Sequence, residues 1–444
     1  MSKPVMYDKS KWDVSRGLDY SGGSEISLGQ PYVHHDYPPL HKNTKLISQY
    51  DLEGRGDTSE IAKKDHYLYV CHMYSGGLSV VDVKDPARPQ VVSFIPTDGP
   101  HAWSIKCRVV GNTLLVANDW KFFEPTKYHV HPEYPDFHKR GPREPVQSGI
   151  KIYDITKPAE PKLLSFFKTG QWTLEGGGNY CHRFWFDGHY AFISADMPGY
   201  WGGIEVIADV SDPKNPKEVS RFWRKGQWIE GGETPNWPNT FPGVQSHHAI
   251  VQGDRLYMCW FQLGATIVDI SNIRKPTLVS EFNLDSNMNH TLMPIKNRQF
   301  AIYVSEYRFA YVVDISDERS PRVVGMFPRP PLEVRDRGVS APFGPGIHNM
   351  HENPPTEEAL KSDDRIYATA GCGGLRIYDV SDPYRISEVG YYVPGTPKVY
   401  YNPYGAEGGH IGAGIDVMDV FVDKKGLIYT SSYNGGLEIL EFTG

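Results

Sequence analysis

The chain has 444 residues, among them 44 glycines and 35 prolines, with 13% aromatics and a formal net charge of -7. Its length exceeds one ordinary core, which calls for several domains or one large repetitive unit, and its acidic balance removes any general attraction to phosphate backbones or anionic lipid. No apolar run reaches the ~18 residues of a membrane span, and no window carries the i, i+3, i+4, i+7 spacing of an amphipathic helix, so an almost all-β protein with no nucleic-acid or membrane partner is expected.

The start, "MSKPVMYDKSKWDVSRGLDYSGG", is polar and lacks the apolar core of a signal peptide, which makes a cytoplasmic location the expectation. Residues 1–43 are read as an N-terminal arm whose Tyr and Trp residues, like the long loops further on, offer a surface for homo-oligomer contacts. Residues 44–444 are read as one repetitive domain. Its first piece, "KLISQY" at 45–50, parallels "KLLSFF" at 162–167, a segment that closes a hairpin elsewhere in the chain.

That hairpin recurs as "GGLSVVDVKDPARPQVVSF", "SGIKIYDITKPAEPKLLSFF", "GGIEVIADVSDPKNPKEVSRF", "GATIVDISNIRKPTLVSEF", "FAYVVDISDERSPRVVGMF" and "GGLRIYDVSDPYRISEVGYY". The aligned aspartates are Asp82, Asp154, Asp209, Asp269, Asp314 and Asp379, spaced 45 to 72 residues apart. Each copy reads as an apolar strand, a turn whose carboxylate or hydroxyl caps the turn amides while Pro sets φ, and an outer strand. A further strand pair precedes each copy, as in "AIVQGDRLYMCWF". Four antiparallel strands per repeat make a propeller blade. The chain ends on "GGLEILEF", a third strand with no fourth, and residues 45–50 supply the missing one. The expected fold is therefore all-β, a seven-bladed β-propeller closed by an N-terminal outer strand, which removes the open edge. Five cysteines without a CxxC pair are expected to be free.

The motifs "VVDVKDPARP", "IADVSDPKNP" and "IYDVSDPYRI" resemble the LVIVD repeat family of seven-bladed propellers, over nearly the whole chain from about residue 44. A more distant similarity is to the selenium-binding protein and methanethiol oxidase group, propellers that also carry histidines. The resemblance implies a fold; function has to be read from the site.

Inner strands line a propeller's channel, and here they begin "DTSEIAKKD", "GPHAWSIKC", "NYCHRFWFDG", "QSHHAIVQG", "NMNHTLMPIKN", "GIHNMHEN" and "GIDVMDVFV". Five of the seven bring a histidine: His101, His182, His247, His290 and His348. The other two bring Glu60 and Asp416, with His410 just ahead of the latter. His182 and His247 each stand six residues before a turn glycine, Gly188 and Gly253. Imidazoles and carboxylates converging on an axis suit one transition-metal ion (Zn, Fe, Mn or Cu) at ~2.1 Å, so His182, His247, His290 and His348 are the expected ligands. His101, Glu60, Asp416 and His410 are the expected proton carriers. Histidines hydrogen-bonded to channel water are the competing reading.

Long aromatic loops interrupt the blades at 119–146, 224–244, 328–346 and 391–409, and three of them run directly into a histidine. Loops of that length are lids or binding loops when rich in Trp, Tyr and Pro, which points to Trp228, Trp237, Tyr400 and Tyr401 as walls of a pocket for a small hydrophobic or aromatic molecule. The leading expectation is a metal-dependent enzyme: a lyase, hydratase or hydrolase, or an oxidase if the ion is iron or copper. The alternative is a non-catalytic interaction propeller that docks proteins on the aromatic loops.

Overall fold

The computed structural model describes residues 37–73, 75–98, 102–120, 146–172, 180–237, 244–285, 288–331, 345–396 and 415–444. The described residues form seven antiparallel sheets and no helix. The fourth blade shows the plan: Ser246–Gln252 innermost, then Arg255–Trp260, Gly264–Asp269 and Thr277–Phe282, each strand paired with the next. The other inner strands are Thr58–Lys64, Ala102–Trp103 continued by Cys107–Val110, Cys181–Phe186, Asn289–Ile295 and Val417–Val422. In the sixth blade the inner place is taken by residues around Met350, which bridges Ala368. Inner strands of successive blades touch around the ring. The fold is a seven-bladed β-propeller.

The turn chemistry of the repeats is present at each aspartate. Asp82, Asp154, Asp209, Asp269, Asp314 and Asp379 each accept the backbone N–H two residues on, at 2.8 to 2.9 Å. The seventh blade is shared between the chain ends: Thr44–Tyr50 pairs with Gly436–Phe442. Just before it, Leu40–Lys42 lies along Ser387–Val393 as an extra outer strand of the sixth blade. Apolar second and third strands fill the space between blades, with Leu256, Met258, Ile302, Val304, Val312 and Ile366 all buried in one cluster. The five cysteines are free and buried, and no described helix is long and apolar enough to cross a membrane.

Candidate functional site on the propeller axis

The inner strands share an irregularity that decides what faces the axis. In blade four Ser246 pairs with Trp260 and His248 with Cys259, leaving His247 as an extra residue. Blade five leaves out His290 between Asn289 and Thr291, and blade seven leaves out Met418. Blade three sets His182 and Arg183 against one partner residue, and blade one does the same with Ser59 and Glu60. In blade two the break falls at residues 104–106; Cys107 pairs with Val116 as Ala249 does with Met258 and Phe184 with Ile193, so Lys106 stands at the level of His248 and Arg183, one residue after the bulged level. A β-bulge turns its extra residue off the ladder and re-aims the side chain. One imidazole in each of several strand pairs is therefore the bulged residue, presented to the axis.

The four expected ligands form an arc. Ring centroids lie 5.0 Å apart for His182 and His247, 4.0 Å for His247 and His290, and 4.8 Å for His290 and His348. Tyr180 stacks on one end of the arc, against His182, and Tyr307 on the other, against His348. The His247 Nδ1–H donates to the His290 carbonyl (2.9 Å) and the His348 Nδ1–H to the Met418 carbonyl (3.0 Å), which leaves a lone pair on each Nε2. The His348 Nε2 is 3.3 Å from Glu306 Oε1. His290, Glu306 and His348 each place one donor atom so that all lie within 4.8 Å of one another. Among the described residues these three are the group spaced to share one ion, and His182 and His247 lie outside it.

Burial first, then neighbouring positive groups, push His182, His247 and His290 well below the usual imidazole range. Burial also lowers His348, against the upward pull of Glu306. The imidazoles are thus neutral at pH 7, the form that can ligate a cation.

Beside the arc lies a buried network of charges. Arg183 Nη2 is 2.9 Å from Glu352 and 3.3 Å from Glu60, and Arg108 Nη2 is 2.8 Å from Glu352. His248 Nε2 lies 2.9 Å from the same Glu352 carboxylate. Burial acts upward on Glu352, but Arg183, His248 and Arg108 hold it well below the usual carboxylate range. Glu60 accepts the Cys107 N–H at 2.9 Å in addition to its contact with Arg183. Asp416 is buried with its Oδ1 unpaired, and burial raises it to about 7.

A family model described as the LVIVD repeat matches residues 55–97, 180–223 and 247–284. The chain carries LVIVD repeats. Among curated proteins none matches the chain. The crystal structure of a computationally designed protein, Ika8, aligns with a TM-score of 0.46 at 10% identity over 89% of this chain and 98% of that one, a likeness too slight to carry weight.

The matched LVIVD repeats lie in blades one, three and four, and two of the expected wall residues, Trp228 and Trp237, lie on the loop leaving blade three. Trp228 is 40% exposed, stacked on Tyr200 and edge-on to Trp223. Trp237 stacks on Trp201, its indole N–H buried without a partner. His101, His410, Tyr400 and Tyr401 lie outside the described residues. Sequence reasoning did not reach Glu306, Lys106, Arg108, Arg183 or Glu352. Glu306 had a signal: its repeat places Phe309 five residues before the turn aspartate, where four of the five other copies have glycine (Gly77, Gly149, Gly264 and Gly374), and fills the turn with Glu306, Tyr307 and Arg308. Tyr307 there adopts a φ of 55°, a strained conformation for an aromatic residue.

Proposed function

We propose that the propeller is a metal-dependent enzyme whose axial ion is held by His290 and His348 together with Glu306, with His182 and His247 beside them in the arc, and that it acts on a small hydrophobic or aromatic molecule. The observation that carries this reading is the face-to-face placement of the His348 Nε2 lone pair and the Glu306 carboxylate at 3.3 Å. Two acceptors facing each other repel unless a cation or a shared proton stands between them, and burial disfavours the imidazolium form of His348. A bound ion would polarise a carbonyl or hydroxyl or, if it is iron or copper, support oxidation. The chain's own residues would do the rest. His247 and His348 are fixed in one tautomer by backbone carbonyls, and Asp416, raised to about 7, is poised to take and return a proton near neutrality.

Purified protein is expected to carry about one equivalent of a transition metal by elemental analysis. The double variant His290→Ala, His348→Ala should lose it with the β-sheet circular dichroism unchanged. Full metal content in that variant, or folded wild type with none, overturns the reading. The exposed Trp228 and Ile229, 40% and 47% accessible, favour the second reading, a protein-docking face. Metal-free wild type that binds a protein partner through that loop would establish it instead.

A further inference from the structure

Six Lys and Arg side chains are buried among the described residues: Lys63, Lys106, Arg108, Lys151, Arg183 and Arg376. Five have a carboxylate partner, namely Asp423 at 3.2 Å, Glu352 at 2.8 Å, Asp98 at 2.8 Å, Glu352 at 2.9 Å and Glu388 at 3.2 Å respectively, omitting Lys106. Lys106 has none among the described residues. The carboxylates that act on it are engaged elsewhere: Glu60 by Arg183 and the Cys107 N–H, Asp419 by the Ile61 N–H at 3.0 Å, and Glu306 by His348. Its register in the second blade's inner strand, one residue ahead of Cys107, is that of Arg183 and His248 in blades three and four, the residues that directly follow the bulged His182 and His247. Its charge adds to the lowering of His182, His290 and His348, which stand on three different blades.

A buried ammonium without a counter-ion is costly, and here a ligand can remove the cost.

We propose that Lys106 is the counter-ion for a substrate carboxylate, so that the axial site takes small aromatic carboxylic acids in their anionic form. The aromatic part of this statement rests on the small-molecule reading of the site given above; the carboxylate part rests on Lys106. Because the lysine lies beside the histidine arc, the acid group is held next to the imidazoles, and chemistry falls on the portion of the substrate nearest its carboxylate.

The test is calorimetric titration of matched acids and amides: benzoate with benzamide, phenylacetate with phenylacetamide, and cinnamate with cinnamamide. At least one acid is expected to bind wild type about tenfold or more tightly than its amide. Lys106→Met should abolish that preference while leaving amide affinity unchanged, and Lys106→Arg should keep most of it. Removing an unpaired buried charge preserves the fold, which circular dichroism checks, and Lys106→Gln serves as a second neutral variant. If no acid outbinds its amide on wild type, or if both neutral variants keep the preference, the proposal is wrong. Elemental analysis of the same samples separates the two readings: acid preference in metal-free protein would overturn the metal and leave Lys106, whereas bound metal without acid preference would do the reverse.

Discussion

At the scale of single residues, the interior holds acids whose protonation is set by burial. Glu205, on the third strand of blade three, is fully buried; Ser194 Oγ donates to its Oε2 at 3.0 Å while Oε1 has no partner. Burial raises it from 4.5 to about 8, so the native state holds it as a neutral acid at pH 7. A folded-state value above the unfolded one means that stability is fully present below 4.5 and is lost as pH rises toward 8. Glu205→Gln keeps the shape and removes the titration. Compared with wild type, this variant should gain relative stability across that window, by up to about 4 kcal/mol at its upper end. Urea unfolding of both proteins at pH 5 and pH 8 measures it; equal pH dependence in the two would show that Glu205 does not titrate there. At the arc, Glu306→Gln keeps the size of the side chain but withdraws its charge, and is expected to lower metal affinity by about 10-fold or more. Metal competition with a chelator gives the ratio, and an unchanged ratio would remove Glu306 from the site.

At the scale of elements, a serine on the outer strand fastens one blade to the turn of the next. Ser48 Oγ donates to the Pro86 carbonyl, Ser165 to Pro213 and Ser220 to Ile273, each at 2.6 Å. The serine of "LSFF" and "VSRF" is thus a seam between repeats, and Ser220→Ala should cost about 1 kcal/mol. Thermal unfolding reads that cost, and no change would mean that water replaces the bond. Glycine has a matching role at the start of the third strand. Gly264 has a φ of 83°, and a Cβ there would lie 2.2 Å from the Phe282 carbonyl oxygen of the outer strand. Much of this was legible in the sequence, because strands, turn caps and the ring's closure follow from local patterns that recur with each repeat. The axial positions of His182 and His247 were legible too, through their common distance from a turn glycine. Lys106 and Arg183 were not, since the charges around them stand on other blades, and Glu306 showed only as an irregular turn before its strand. What Lys106 lacks is visible only once the neighbours of every buried cation are known.

At the scale of the whole molecule, the ring is held shut by pairing residues from opposite ends of the chain. Thr44–Tyr50 meets Gly436–Phe442 along its length, with Leu46 opposite Leu440 and Tyr50 opposite Leu437. Thr58 Oγ1 adds a second tie, donating to the Ser432 carbonyl at 2.8 Å. Without the outer strand, the last blade would present an unpaired edge, and the inner strands of blades one and seven, which touch across the seam, would lose their brace. Because the axial arc depends on all inner strands holding one level, opening the seam should also spread the site. Deleting residues 1–43 removes only the three-residue strand Leu40–Lys42 from the described sheets, whereas deleting residues 1–53 removes the whole closing strand. The shorter deletion is expected to lower the melting temperature slightly and keep the protein's metal content. The longer one should lower it several-fold further, reduce metal binding and promote association through the exposed edge, as read by calorimetry, elemental analysis and light scattering. Equal melting temperatures for the two truncations would mean that the ring closes without its N-terminal strand, and that the order at the axis does not depend on the seam.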